Sequence, residues 1–225
     1  MAVLGVDGWR GRWVGALLDG RRVTLLDLVD VAAVLAVPGV DVVAIDMPIG
    51  LSADGVRACD VQARELLHRV GAGSSVFPTP VRPVLATDDY AEARAISRAA
   101  TRPPRAPSAQ AFQLVKAIRA LDDALGVPPR EDVREVHPEL AFRALDPEVT
   151  DPKGTARGTA QRLVALRRVM DVDAALLDAP RRVPMIDALD ACAAAWSAHR
   201  IADGTAESVG DDARDSRERP MRIWW

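Results

Sequence analysis

The chain has 225 residues, 49% hydrophobic and 27% charged, with a formal net charge of −3. That is enough apolar material for a full core, and the length predicts one domain carrying an insertion. The acidic balance argues against a protein that holds nucleic acid by bulk electrostatics, and no apolar run reaches the roughly 18–20 residues of a membrane span.

The apolar start is broken by Asp7, Arg10 and Arg12, unlike a signal peptide, so a soluble, cytoplasmic protein is expected. Residues 2–7 read as a buried strand that ends in Asp7. A second apolar run covers 13–18, and a third covers 23–29 after the hairpin dipeptide Asp19-Gly20. A short Ala/Val-rich helix at 30–37 leads to 40–46, which is too continuously apolar to be half exposed and predicts a central parallel strand beside the first. This order predicts an α/β fold whose mixed sheet combines an antiparallel meander with parallel strands.

Helical spacing runs over 57–70 and stops at Gly71 and Gly73. Pro78, Pro80 and Pro83 bar helix and central strand from the next stretch. Helices are predicted at 88–100 and, with Ser108 as N-cap and Gly126 as stop, at 108–125. Together these make a helical, Pro-rich insertion at about 72–128. A short strand at 133–136 and a helix entered through Pro138 follow. Further helices are expected at 159–169 and 184–201; residues 205–219 look polar and loose, and PMRIWW reads as a terminal strand or packed tail. Cys59 and Cys192 fit neither a disulfide framework nor a metal knuckle and are expected to be reduced core residues.

The carboxyl ends of neighbouring parallel strands face a common crevice, which would bring Asp7 (GVDG) and Asp46 (AIDMPIG) together. Asp187 and Asp190 in IDALDACAAAW are spaced i, i+3 and share one helix face. Clustered carboxylates repel and their pKa values rise. One or two Mg²⁺ or Mn²⁺ ions would relieve that cost and would bring phosphate chemistry with them. Each acid also has a structural reading: Asp7 and Asp46 as turn caps, Asp187 as a first-turn acid suited to the helix dipole. Glu135 is the candidate for the site margin, Glu139 fits a helix start, and His137 is either a general base or structural. Arg10, Lys153 and Arg57 are candidate phosphate ligands. Trp9 and Trp13 are expected to pack in the core or at its rim. Two acid-free basic stretches, 93–121 and 153–168, form either a face for a polyanion or separate solvated helix surfaces.

The strand order with acids on the first and fourth strands and a late DALDA helix looks like the ribonuclease H-like fold, a three-layer α/β/α arrangement with a five-stranded mixed sheet, in its resolvase-like branch. The set GVDGWRGRWVGA, AIDMPIGL, RACDVQAR, SVFPTPVR, REVHPELAF, KGTARGTAQR and LDACAAAW resembles the DUF429 family, described as predicted ribonuclease H-like nucleases, over almost the whole chain. The resemblance implies that Asp7, Asp46 and Asp190 are the superfamily's catalytic, metal-binding acids and that Asp187 is the extra acid of resolvase-like members. The fourth-strand acid is often Glu in that branch; here Asp46 is one methylene shorter. A metal-dependent nuclease is therefore expected, and resolvase-like activity would call for two active sites and hence a homodimer. Two alternatives stay open: a sugar-kinase- or actin-like nucleotide-binding protein, with GVDGWRG as its phosphate hairpin, and a catalytically silent binding protein that retains the fold.

Overall fold

A computed structural model describes residues 1–69, 71–128 and 130–225. Strands β1 (Ala2–Trp9), β2 (Arg12–Asp19) and β3 (Arg22–Leu28) form the antiparallel meander, and β4 (Val40–Ile45) lies parallel to β1 on its other side. A short β5 (Val133–Glu135) continues parallel to β4, so the sheet order is β3-β2-β1-β4-β5. This is the mixed five-stranded sheet that the sequence predicts.

The helices follow in chain order. After α1 (Val31–Leu35) comes α2 (Ala58–His68), then α3 (Tyr90–Ala100), α4 (Ala109–Gln113) and α5 (Val115–Ala124). Beyond β5 lie α6 (Pro138–Leu145), α7 (Ala156–Arg167), α8 (Val172–Leu177) and α9 (Met185–Ala202). The sequence predicts α2 as far as Val70, a residue outside the described ones. The single helix expected over 108–125 is two helices that meet at Leu114, which ends α4 and caps α5. Helix α7 begins earlier than its apolar spacing suggests because Thr155 caps it, its hydroxyl accepting from the Gly158 N–H at 3.0 Å. The Pro-rich stretch carries two short 3-10 turns, Gly73–Ser75 and Arg82–Ala86.

Alternation along the strands sorts the core into two layers. Val3, Val14, Ala16 and Ala44 pack on one face with Leu140, Phe142, Leu166 and the alanines of α9. Leu4, Val6, Val43 and Ile45 face the other way, against Val31 and Val34 of α1 and Ile118 and Leu121 of α5. The period of two therefore places Val3, Gly5 and Asp7 on the α9 side of β1, and Val42, Ala44 and Asp46 on the same side of β4. Gly5 is required there: a Cβ would stand 2.0 Å from the Ala195 nitrogen and 2.2 Å from the Ala191 oxygen. Helix α9 thus rests on the backbone of β1.

Residues 205–219 are not loose. β6 (Ser208–Arg214) and β7 (Pro220–Trp224) form an antiparallel hairpin, and Trp224 bridges in parallel to Val136 just past β5. The polar sequence conceals this because the apolar contacts come mainly from Met221, Ile223 and Trp224 of β7, while the connection between the strands is held by ions and amides. Asp215 accepts from the Leu51 and Arg219 N–H groups at 3.0 Å and pairs with Arg82, while buried Arg219 pairs with Asp122 of α5. Among the described residues no helix is long and apolar enough to cross a membrane.

Candidate active site

The parallel pairing of β1 with β4 fixes the first two acids. Val6 lies opposite Ile45, and the Asp46 N–H donates to the Val6 carbonyl at 2.9 Å, so Asp7 and Asp46 leave adjacent strand ends on one face. Asp7 is buried, and its Oδ1 accepts the Gly8 N–H at 2.8 Å, the local cap expected of an Asp-Gly turn. From α9, Asp187 and Asp190 approach the same place, one turn apart. Both strand ends, together with His137, Phe77 and Met47, line a cleft of about 150 Å³.

The acids feel one another. Burial, then the charges of Asp46 and Asp190, hold Asp7 well above the ordinary carboxylate range, with Lys153 pulling the other way. Burial also raises Asp46, against the pull of His137 and Lys153. Asp190, 1% exposed, is pushed by burial up to about 6 despite Lys153. Asp187 is raised by burial while its own backbone, Lys153 and a hydrogen bond shared with Asp7 draw it down. These are the shifts expected of a like-charge cluster in a partly dry crevice.

Lys153 completes the cluster. Its Nζ donates to Asp190 Oδ2 at 2.6 Å, and against the cost of burial the charges of Asp190, Asp46 and Asp7 hold its ammonium above the usual lysine range. The second oxygen of Asp190, Oδ1, is buried with no hydrogen-bond partner among the described residues. An orphaned, buried carboxylate oxygen beside three further carboxylates is a donor set of the type that hard divalent cations take. The acids do not form a ready-made coordination shell: among the described residues, no three potential ligands are gathered around one point. The residues present fit an oxygen-ligated ion in chemistry and charge.

His137, which precedes α6, lines the cleft between the strand ends and the Ser75 loop. Its Nδ1 is buried without a partner, and its Nε2 stands 3.5 Å from the Ser75 carbonyl. The sequence sets it between base and structural residue; its place at the end of β5, beside Asp46, is the signal that brings it into the site. Arg10 is exposed in the β1–β2 turn at φ 48°, near enough to Asp187 to lower that carboxyl.

Glu135 lines the cleft at its margin, whereas Arg57, beside it in the lining, is not free to hold a phosphate. Arg57 is 3% exposed and saturated: Nη1 donates to Glu135 Oε2 and Nη2 to Glu135 Oε1, both at 2.7 Å, and Nη2 also reaches Asp60 Oδ1 at 2.5 Å. Further bonds run from Nη1 to the carbonyls of Ile49 and Gly50, at 3.1 and 3.2 Å. A guanidinium so engaged has no donor free for a phosphate. Glu135 pairs in register with Ile45, on the face opposite Asp46, and accepts the Ile49 N–H at 2.7 Å. Burial pushes its carboxyl up to about 7 against the pull of Arg57. Together, Arg57, Asp60 and Glu135 form part of the cleft's wall and brace the loop that follows Asp46.

Glu139 is likewise more than a helix-start acid: it is buried, and Arg162 Nη2 donates to both its oxygens, at 2.6 and 2.8 Å. Cys59 and Cys192 are free, buried thiols, as expected, and burial pushes Cys192 up to about 12. Trp13 sits in the core, and Trp9 packs at its edge.

Comparison with known proteins adds one result. No curated protein and no solved structure matches the chain. Residues 5–215 match the model of a family described as "Protein of unknown function (DUF429)", and the chain belongs to that family.

Proposed function

We propose that the protein is a metal-dependent phosphodiesterase that hydrolyses nucleic acid on a ribonuclease H-like scaffold. The observation that carries this reading is the grouping of Asp7, Asp46, Asp187 and Asp190, from two adjacent strand ends and one helix, within electrostatic reach of one another beside a cleft that Asp7 and Asp46 line, where Asp190 keeps a buried oxygen with no partner among the described residues. Asp7, Asp46 and Asp190 would hold a Mg²⁺ or Mn²⁺ ion, with Asp187 beside Asp7. When bound there, a divalent ion would supply Lewis acidity to a phosphoryl oxygen and would lower the pKa of a water.

The chain's own residues do the rest. Lys153 offsets one negative charge of the cluster and orients Asp190. Its half-exposed ammonium also presents protons to an incoming phosphate. His137 exchanges a proton at Nδ1, the atom with no partner of its own among the described residues. The Arg57 brace keeps the 46–51 loop, and with it Asp46, in place. A sugar-kinase-like reading has less support, because four acids beside the β1–β2 turn would repel a nucleotide's phosphates unless cations intervened.

The test is titration calorimetry of Mn²⁺ into wild type and Asp7→Asn, paired with cleavage of single-stranded RNA, RNA–DNA hybrid and branched DNA. Micromolar to millimolar binding that the substitution abolishes, together with Mn²⁺-dependent cleavage of at least one substrate, is expected. Equal binding by the two proteins and no cleavage would end the nuclease reading.

A further inference from the structure

A second cavity, of about 560 Å³, adjoins the carboxylate cleft and shares Asp60, Val76 and Phe77 with it as a common wall. Its interior is apolar along Val76, Phe77 and Pro78. Its mouth carries Arg64 and Arg69 from α2 and its C-terminal end, and Arg105 from the Pro-rich segment after α3. Each guanidinium is exposed and without an acid partner among the described residues, although Arg12, Arg57, Arg82, Arg162 and Arg219 are all ion-paired. Glu65 is the opposing charge on the rim; Asp60 is turned to Arg57, which it shares with Glu135. The mouth is therefore cationic within an acidic chain.

The position of Arg105 is built rather than incidental. Its N–H donates to Thr101 Oγ1 at 2.7 Å, and its carbonyl accepts from Ser97 Oγ at 2.8 Å, both hydroxyls belonging to buried residues. Two side chains of α3 and its end thus clamp one residue of a segment that has no regular structure of its own. On α2, Val61, Arg64, Glu65 and His68 fall at i, i+3, i+4 and i+7, so that one exposed stripe of the helix forms the side of the cavity.

We infer that this cavity seats the nucleotide next to the scissile phosphate of a single-stranded nucleic acid, an inference that rests on the phosphodiesterase reading. The base lies against Phe77 and Pro78, and its phosphate lies at Arg64, Arg69 and Arg105. Pockets of roughly 300–1,000 Å³ take single small ligands, so the volume suits one or two unpaired nucleotides and not a duplex. An apolar, aromatic wall beside arginines is the combination that binds single strands without reading sequence. Because the two cavities share the Val76–Phe77 wall, a strand whose phosphate enters at Asp7 and Asp46 passes directly over Phe77.

The test uses the full-length Asp7→Asn protein, so that bound strands are not cut, and fluorescence anisotropy with six-nucleotide RNA, six-nucleotide DNA and a twelve-base-pair duplex over a salt series. Arg64→Ala, Arg69→Ala and Arg105→Ala are each expected to weaken single-strand binding by about 3- to 10-fold. The slope of log Kd against log salt should fall by about 0.7 for each phosphate contact removed. Phe77→Ala is expected to weaken binding by roughly 5- to 100-fold at unchanged slope, because stacking carries no counterion. The RNA and DNA arms identify which strand is preferred. Binding by the parent protein that the three arginine substitutions leave unaltered overturns the inference and leaves the phosphodiesterase reading standing. Arginine-dependent binding that favours the duplex overturns the single-strand assignment. No binding of any nucleic acid by the parent overturns both.

Discussion

The ammonium of Lys153 lies 2.6 Å from Asp190 Oδ2, while the other oxygen of the same carboxylate is buried without a partner. One acid thus faces a resident cation on one side and an unfilled hydrogen-bonding position on the other. Lys153→Met removes a charge that competes with a divalent ion and also offers protons to phosphate. At a fixed alkaline pH it is expected to tighten Mn²⁺ binding by about 3- to 10-fold and to slow cleavage. Calorimetry and single-turnover rates measure the two effects separately, and weaker Mn²⁺ binding would show that the lysine organises the site rather than competing within it.

The raised acids predict a pH dependence of stability. A carboxyl whose pKa is higher folded than unfolded favours the folded state fully below the unfolded value, and that favour is lost as pH rises through the folded value. For Asp190, which burial raises from 3.8 to about 6, the loss between about pH 4 and pH 7 is on the order of 3 kcal/mol. Asp7 shifts in the same direction. Without divalent ions, Asp7→Asn should therefore melt close to wild type at pH 4 and several degrees above it at pH 7.5. Added Mn²⁺ should narrow that gap by stabilising the wild type alone, and scanning calorimetry at the two pH values reads both effects.

The brace in the cleft's wall should behave as a unit. Arg57→Met leaves Glu135 and Asp60 buried without their cation and is expected to cost about 3–5 kcal/mol. Arg57→Lys should recover only part of this, since an ammonium cannot form the fork that binds both oxygens of Glu135. Urea melts of the two variants give the comparison; an Arg57→Met protein as stable as wild type would contradict the brace.

Gly5→Ala tests how α9 is seated. With the new Cβ 2.0 Å from a backbone nitrogen, there is no flexible side chain to yield. A loss of more than about 3 kcal/mol is expected, a fall in Tm of roughly 6–12 °C for a chain of this size. Any protein that still folds should bind Mn²⁺ more weakly, because Asp187 and Asp190 move away with the helix.

The sheet and the four acids were legible because local rules determine both. Apolar runs broken by turn dipeptides delimit the strands, the parallel order brings the strand ends at Asp7 and Asp46 to one sheet edge, and helical spacing aligns Asp187 with Asp190. Roles that depend on distant partners are not legible in the sequence. Arg57 beside a helix start resembles a phosphate ligand until Glu135, 78 positions away, is brought against it. β6 was invisible because its register is set by long-range bonds such as Gly210 N–H to Gln62 Oε1, at 2.8 Å, rather than by its own pattern. The sequence suggests Lys153 as a phosphate contact, but its attachment to Asp190 across 37 positions is visible only in the fold.

The seating of α9 on Gly5 also determines how the crevice can breathe. Backbone against backbone leaves no rotatable bonds between β1 and this helix, so Asp7, Asp187 and Asp190 travel as a single jaw. With the loop after Asp46 held by the Arg57 brace, widening to admit a strand or narrowing around an ion falls to the Phe77 segment and the His137 turn. The cleft is a vice with one fixed plate, and substitutions that tune its aperture belong on the moving side.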